Sequence, residues 1–251
     1  MGINELIIDQ PRIDIRRITI NRPSYRNALT PEIREELKSL LLKLYGDPAI
    51  KAIVITGADG QFCAGGDLGR LAKLPKNEVS ALLSSGHELI RLLIESPKPV
   101  IAAIAGSAAG GGAGLALACD SIVMADDAKF ILPFNRIGLV PDYGLAFTLS
   151  KRMGISQAHR LMLNPEPISA ASAMQKGLAD SVVPFSDLDE CAINMAISLS
   201  RQSALATRWI KQLTLMQMNA LQGTLDTELA AQAQCFSSPE FEAGVAAFLK
   251  K

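Results

Sequence analysis

The sequence has few of the residues that hold metals or form disulfide frameworks. Its 251 residues include four cysteines and two histidines. No C-x-x-C pair occurs, and no cysteine lies close to a histidine, so neither a disulfide framework nor a zinc site is predicted. We therefore expect no bound metal and a reducing, cytoplasmic compartment.

The chain also lacks an excess of charge of either sign. Its 25 Lys and Arg residues balance 25 Asp and Glu residues, and 49% of the chain is hydrophobic. Partners such as nucleic acid or an anionic membrane select a basic face, so this balance argues against both, while it leaves room for a local phosphate site. The N-terminus has no basic segment followed by an apolar one, which argues against a secretory signal. The size and composition predict a soluble globular protein with a substantial core.

Residues 100–119 form the one apolar stretch long enough to resemble a membrane span. The stretch is rich in Ala and Gly, which contribute little transfer free energy. Four of its five glycines, at 110, 111, 112 and 114, would each weaken a helix by up to about 1 kcal/mol. We predict a buried strand, a glycine turn and a buried helix there instead.

The hydrophobic pattern predicts an α/β domain followed by helices. Alternation over 3–21 predicts a hairpin, and Thr30 followed by Pro31 predicts the start of a helix that ends at Gly46. Further strands are predicted at 51–57, 98–106, 120–126 and 128–133, and further helices at 77–95 and 111–118.

From Tyr143 onward the chain is predicted to be helical, apart from a strand-like piece at 181–184. The last helices, at about 187–200, 203–220, 223–235 and 239–249, have apolar positions on more than one face. Such faces need a partner surface, so we expect them to pack on a neighbouring subunit.

Two glycine turns follow buried strands: C-A-G-G-D-L at 63–68 and A-G-G-G-A-G at 109–114. Turns of this kind expose backbone N–H groups at a helix N-terminus. Two N–H groups aimed at one point form an oxyanion hole, in which each donor contributes roughly 3–4 kcal/mol. Tight packing of a helix on a strand is the alternative explanation for each turn. A dinucleotide fingerprint is disfavoured because the spacing after Gly110 and Gly112 ends on Leu115.

Candidate acid and base side chains are few. His87 lies on the apolar face of the 77–95 helix, which is typical of a core histidine. Asp142 precedes a helix, where an N-cap is the commoner role for aspartate. Nothing near Cys63 would lower the pKa of its thiol, so we interpret Cys63 as a packing residue.

Several motifs together carry a resemblance to a known family. They are NRPSYRNALT (21–30), FCAGGDL (62–68), the segment 96–120 that contains the second glycine turn, and IGLVPDYG (137–144). In this order they resemble the crotonase, or enoyl-CoA hydratase/isomerase, superfamily over essentially the whole chain.

The resemblance implies an α/β fold, a crotonase-like spiral of ββα turns over residues 1–190. Residues 191–251 would then be a C-terminal helical region for oligomerisation, giving a homotrimer or a dimer of trimers. The ligand it implies is an acyl-CoA thioester, with coenzyme A as part of the substrate and no separate cofactor.

The resemblance also implies a set of site residues. The N–H groups of Gly66 and Gly111 would bind the thioester oxygen. Around coenzyme A it places Arg26, Ala28, Ala64, Asp67 and Leu68, and Lys250 or Lys251 would reach a phosphate.

Two departures from the family pattern decide between its reactions. Family hydratases carry two glutamates, where this chain has Gly114 and Phe134. Water addition needs one carboxylate to activate water and another to deliver the α-proton, so we expect no efficient hydratase. In some family isomerases an aspartate at the position of Asp142 is the base. We therefore predict isomerisation of a 3-enoyl-CoA to a 2-enoyl-CoA by Asp142, with Phe134 as an apolar wall that raises its pKa and His87 as a secondary polar contact.

Three alternatives stay open. One is a hydratase-type lyase of fatty acid metabolism. Another is a hydrolase like the 4-chlorobenzoyl-CoA dehalogenases, in which Asp142 attacks the aryl carbon and His87 activates water. Against it, Phe134 stands where a tryptophan is expected and Gly66 where a phenylalanine is expected. The third is a non-catalytic acyl-CoA binder.

Overall fold

Two β-sheets form the frame of the molecule in the computed structural model, which describes residues 5–214 and 218–249. The strands are β1 (Leu6–Arg12), β2 (Ile15–Ile20), β3 (Ala52–Gly57), β4 (Val100–Ile104), β5 (Ser107–Ala109), β6 (Ser121–Ala125), β7 (Lys129–Ile131), β8 (Ile168–Ser169) and β9 (Ser181–Val183).

The larger sheet has the order β1-β2-β3-β4-β6-β9, and the smaller one has the order β5-β7-β8. Strands β1 and β2 form an antiparallel hairpin, and all later neighbours in the larger sheet are parallel. Central strand β4 is buried along its whole length. A strand covered on both faces has an almost continuous apolar sequence, as VIAAI shows here.

Helices cover both sheets. They are α1 (Pro31–Gly46), α2 (Leu68–Leu71), α3 (Val79–Ile94), α4 (Gly111–Leu117), α5 (Leu145–Met153), α6 (Ile155–Leu163), α7 (Ala170–Gln175), α8 (Leu188–Ser200), α9 (Ala204–Thr214), α10 (Met218–Cys235) and α11 (Pro239–Leu249). Helix α1 packs on α3, and α8 packs on β3, β4 and β6.

The predicted hairpin and first helix are confirmed. Thr30 caps α1 by accepting the N–H of Ile33 at 3.2 Å, and Pro31 is the first helical residue. The apolar stretch 100–119 contains β4, β5 and α4, and no helix among the described residues is long and apolar enough to cross a membrane. Strand β5 was not predicted, because its three residues, SAA, show no strand pattern of their own.

The C-terminal helices differ from expectation in their bounds and in what covers them, because α8, α10 and α11 all pack on other parts of the same chain. The predicted helix 203–220 is α9, which ends at Thr214, and α10 already begins at Met218. Helix α10 folds back on α3 and α5 of its own chain. Helix α9 leaves an apolar face exposed that includes Trp209 and Ile210. Packing of the C-terminal region on a neighbouring subunit thus stays a prediction that rests on α9.

Replacing Thr30 with alanine should lower the free energy of unfolding by about 1 kcal/mol, because the N–H of Ile33 loses its acceptor. Urea denaturation of the Thr30→Ala and Thr30→Ser variants measures this effect. The serine variant keeps the hydroxyl and should remain close to wild type; equal losses in both variants would contradict a capping role.

Candidate active site

Both glycine turns open onto one cavity of about 200 Å³. Its wall is formed by α1, α2, α3, the start of α4 and the turns around residues 134 and 142. The lining residues that matter for chemistry include Ala64, Gly66, Asp67, Gly111, Phe134 and Asp142. Leucine is the commonest residue in the remaining wall, which is mainly apolar and suits an apolar group.

The two glycine turns are tied together by backbone pairing. The N–H of Cys63 donates to the carbonyl of Ser107 at 3.1 Å, and the N–H of Ala109 donates to the carbonyl of Cys63 at 2.9 Å. Gly65 has a φ of 83°, and a Cβ there would lie 2.8 Å from the nitrogen of Gly111. The close approach therefore requires a glycine at 65.

The turns leave two N–H groups available at the cavity. Over the described residues, the backbone hydrogen bonds of these turns do not use the N–H of Gly66 or of Gly111. Both residues line the cavity, and Gly111 is the first residue of α4. This arrangement can supply two donors to one oxygen atom.

The ring of Tyr143 packs against three glycines at the back of the cavity. A Cβ on Gly86 or Gly111 would lie 3.1 or 3.0 Å from its ring carbon Cε2, and a Cβ on Gly114 would lie under 3.0 Å from the Cβ of Tyr143. Tyr143 itself has a φ of 56°, which is uncommon for a bulky residue. Tyr143 thus occupies the space that any side chain at Gly114 would need.

Asp142 is placed at the cavity, and its predicted alternative role as an N-cap is wrong. Helix α5 begins after Gly144, and no side chain caps it; the N–H of Leu145 donates to the main-chain carbonyl of Asp142 at 3.2 Å. The carboxylate atom Oδ2 accepts a long hydrogen bond of 3.4 Å from Gln232, while Oδ1 is buried without a partner among the described residues.

Burial brings the pKa of the Asp142 carboxyl group close to neutral pH. The residue as a whole is partly exposed, but its carboxylate is enclosed. Loss of hydration, with the nearby charge of Glu228 as the second cause, raises the pKa of Asp142 to about 7. The hydrogen bond from Gln232 and the charge of Arg34 act in the opposite direction.

Glu228 and Gln232 belong to α10 and were not found from the sequence. Gln232 is fully buried, and Glu228 is 4% exposed. Both lie on the face of α10 that also carries Leu225, at spacings of three or four residues, and Phe236 continues this spacing just after the helix. The sequence signal that could have pointed to Glu228 and Gln232 is the presence of two polar residues within the apolar stripe of α10.

His87 is buried behind the site and is not among the residues that line the cavity. Its Nε2 lies 3.2 Å from Oε2 of Glu228 but is not aligned for a hydrogen bond. Cys63 is fully buried, and burial raises the pKa of its thiol to about 12. Its interpretation as a packing residue agrees with this environment.

The residues predicted around coenzyme A divide into two groups. Ala64, Asp67 and Leu68 line the cavity. Exposed Arg26 and buried Ala28 do not line it, although the carbonyl of Arg26 accepts the N–H of Ala64 at 2.9 Å.

The charged groups around the cavity mouth are mostly paired. Asp67 caps α2 and accepts hydrogen bonds from Arg22, the nearest at 3.1 Å. Arg70 also lines the cavity and was not found from the sequence; it pairs with Glu32 at 3.0 Å. Lys250 and Lys251 lie outside the described residues.

Comparison with known proteins identifies the family. A family model described as enoyl-CoA hydratase/isomerase matches residues 12–251. The chain belongs to the enoyl-CoA hydratase/isomerase family. Members of this family act on coenzyme A thioesters.

Relatives within the enoyl-CoA hydratase/isomerase family carry different activities. The chain is 34% identical over 252 residues to the 1,2-epoxyphenylacetyl-CoA isomerase of Escherichia coli, covering 98% of this chain and 96% of that protein. It is 36% identical over 250 residues to the 2,3-dehydroadipyl-CoA hydratase of the same organism, covering 99% and 97%. The family therefore establishes acyl-CoA chemistry and leaves the individual reaction open.

Solved structures of the family share the fold. A crystal structure of an enoyl-CoA hydratase from Mycobacterium avium subsp. paratuberculosis matches with a TM-score of 0.88 at 28% identity, covering 98% of this chain and 99% of that one. The predicted α/β crotonase fold with C-terminal helices is confirmed. Over the described residues, no group of three or more His, Cys, Asp or Glu side chains is arranged to hold a metal ion.

Replacing Gly114 with alanine should lower the free energy of unfolding by about 1–3 kcal/mol, because the new Cβ would overlap Tyr143. Gly223→Ala is the matched control, since a Cβ on Gly223 in α10 meets nothing within 4 Å. Alanine there should leave stability unchanged or raise it by up to about 1 kcal/mol. Denaturation curves compare the two variants; a Gly114→Ala variant as stable as wild type would contradict the packing described.

Proposed function

We propose that this enzyme isomerises a 3-enoyl-CoA to a 2-enoyl-CoA, with Asp142 as the group that moves the proton. The observation that carries the proposal is a single available base at the cavity. Of the two carboxylates among the described lining residues, Asp67 is held by Arg22, whereas Asp142 has a free oxygen atom. The pKa of Asp142, at about 7, suits both removal and return of a proton.

The reaction needs only the groups that line this cavity. The N–H groups of Gly66 and Gly111 would bind the thioester oxygen, and the Asp142 carboxylate would take a proton from C2. The electron pair of the broken C–H bond spreads over the dienolate, whose negative charge rests on the thioester oxygen. Protonated Asp142 then returns the same proton to C4, which leaves the 2-enoyl thioester and the original carboxylate.

Steric and chemical features disfavour hydration. A glutamate at 114 would overlap Tyr143, and Phe134 has no proton to give. The Tyr143 hydroxyl cannot act as a base near neutral pH, because burial raises its pKa to about 12. Among the described lining residues, Asp142 is the one carboxylate that is not held by an arginine, so a second unpaired carboxylate that could activate water is not found there.

The remaining alternatives find less support. A dehalogenase-like hydrolase would need His87 at the substrate, but His87 faces Glu228 and does not line the cavity. A non-catalytic binder would have no use for a carboxylate whose burial raises its pKa towards neutral pH.

The Asp142→Asn variant should lose at least about 10²-fold in kcat, since the amide cannot accept the C2 proton. The measurement follows the absorbance of the 2-enoyl thioester after adding 3-enoyl-CoA. Asp127→Asn, at an exposed aspartate, is the control and should keep wild-type activity. Full turnover by the Asp142 variant, or none by wild type, would remove the proposal.

The pH dependence of kcat/KM should report the same group. The active form of Asp142 is the carboxylate, so activity should rise with pH and reach half its plateau near the pKa of about 7. Steady-state rates from pH 5 to 9, each with a stability check, measure the profile. A rate already at its plateau at pH 5 would contradict a base with this pKa.

A further inference from the structure

A buried cluster of polar groups lies behind Asp142 and is completed by α10. Three side-chain atoms among the described residues are buried without a hydrogen-bond partner: Nε2 of His87, Oδ1 of Asp142 and Oε1 of Glu228. They belong to one neighbourhood, because Glu228 lies beside His87 and its charge acts on Asp142. Buried groups without partners cost free energy, so their concentration at one place points to a role in the site.

Glu228 reaches the turn that carries Asp142. Its Oε2 accepts the N–H of Gly144 at 3.1 Å, across 84 residues of sequence. One helical turn later, Gln232 accepts the N–H of Val140 at 3.3 Å and donates to Asp142. Two side chains of α10 thus hold the turn on both sides of Asp142.

We propose that Glu228 is a positioning residue: it anchors the Asp142 turn and presents a second negative charge to the base, so that the basicity of Asp142 depends on the docking of α10. The proposal rests on the proposed role of Asp142 as the base. Glu228 is not among the residues that line the cavity, and it therefore acts through Asp142 and not on the substrate.

Among the described charged groups near Asp142, Glu228 is the one whose charge opposes ionisation of the Asp142 carboxyl group. Arg34 from α1 favours the carboxylate, and Tyr143 stays neutral. His87 from α3 faces Glu228. Helix α4 carries no titratable residue, and α5 carries Lys151 and Arg152, which bond to the carbonyls of Thr214 and Cys119.

The decisive variant is Glu228→Gln, which keeps an oxygen for the Gly144 N–H and removes the charge. Asp142 is then titrated directly by NMR in protein labelled with ¹³C at aspartate carboxyl groups, with Asp142→Asn assigning its signal. The midpoint of Asp142 should fall by about one pH unit, as expected when a nearby like charge is removed. The acid limb of kcat/KM should move to lower pH in parallel.

Three further variants separate charge from structure. Asp226→Asn removes an exposed carboxylate from the same helix and should change neither the midpoint nor the rate. Glu228→Asp keeps the charge and should hold the midpoint closer to wild type than Glu228→Gln does. Gln232→Leu removes a hydrogen bond to the carboxylate, so it should move the midpoint upward.

The outcomes distinguish this proposal from the proposed reaction. A midpoint that falls in Glu228→Gln supports the role of Glu228 even if wild type shows no isomerase activity. An unchanged midpoint in folded Glu228→Gln overturns it, whatever the activity. Should Glu228→Gln not fold, an unchanged midpoint in Gln232→Leu would overturn the control of Asp142 by α10.

Discussion

The close packing of Tyr143 against three glycines is the constraint on which the site depends. Its ring contacts the backbone of Gly86 in α3 and of Gly111 at the start of α4, and its Cβ lies over Gly114. A Cβ at Gly86 or Gly111 would be crowded against the ring, and a Cβ at Gly114 would overlap Tyr143. The adjacent residue, Asp142, is therefore carried to the same cavity as the N–H of Gly111.

The same packing supports the proposed isomerisation over hydration. With Tyr143 over Gly114, the place of a hydratase glutamate is closed, and Phe134 makes the next wall of the cavity apolar. An enclosed apolar wall disfavours the charged form of a carboxylate, which is the main reason that the pKa of Asp142 rises. The enclosure of the cavity thus has two effects: it leaves no room for a glutamate at 114, and it raises the pKa of Asp142.

Local features of the fold and of the site were predictable from the sequence. Thr30, the two glycine turns and the apolar strands act over short distances in the chain, and the structure has them where their patterns indicate. The C-terminal contribution was not predictable in this way. Gln232 meets Asp142 across 90 residues, and nothing in the pattern of α10 tells which apolar surface will receive it. Tyr143 was missed because its role depends on a φ of 56° and on glycines in two other elements.

In the proposed mechanism, one carboxylate and two backbone donors serve the same acyl group. A crystal structure of the Asp142→Asn variant with a bound 3-enoyl-CoA tests it most directly, because the substrate cannot turn over. We expect the thioester oxygen to lie within hydrogen-bond distance of the nitrogens of both Gly66 and Gly111, and C2 to lie about 3–3.5 Å from the side chain at 142. A thioester oxygen that meets neither nitrogen, or an acyl chain bound away from residue 142, would contradict it.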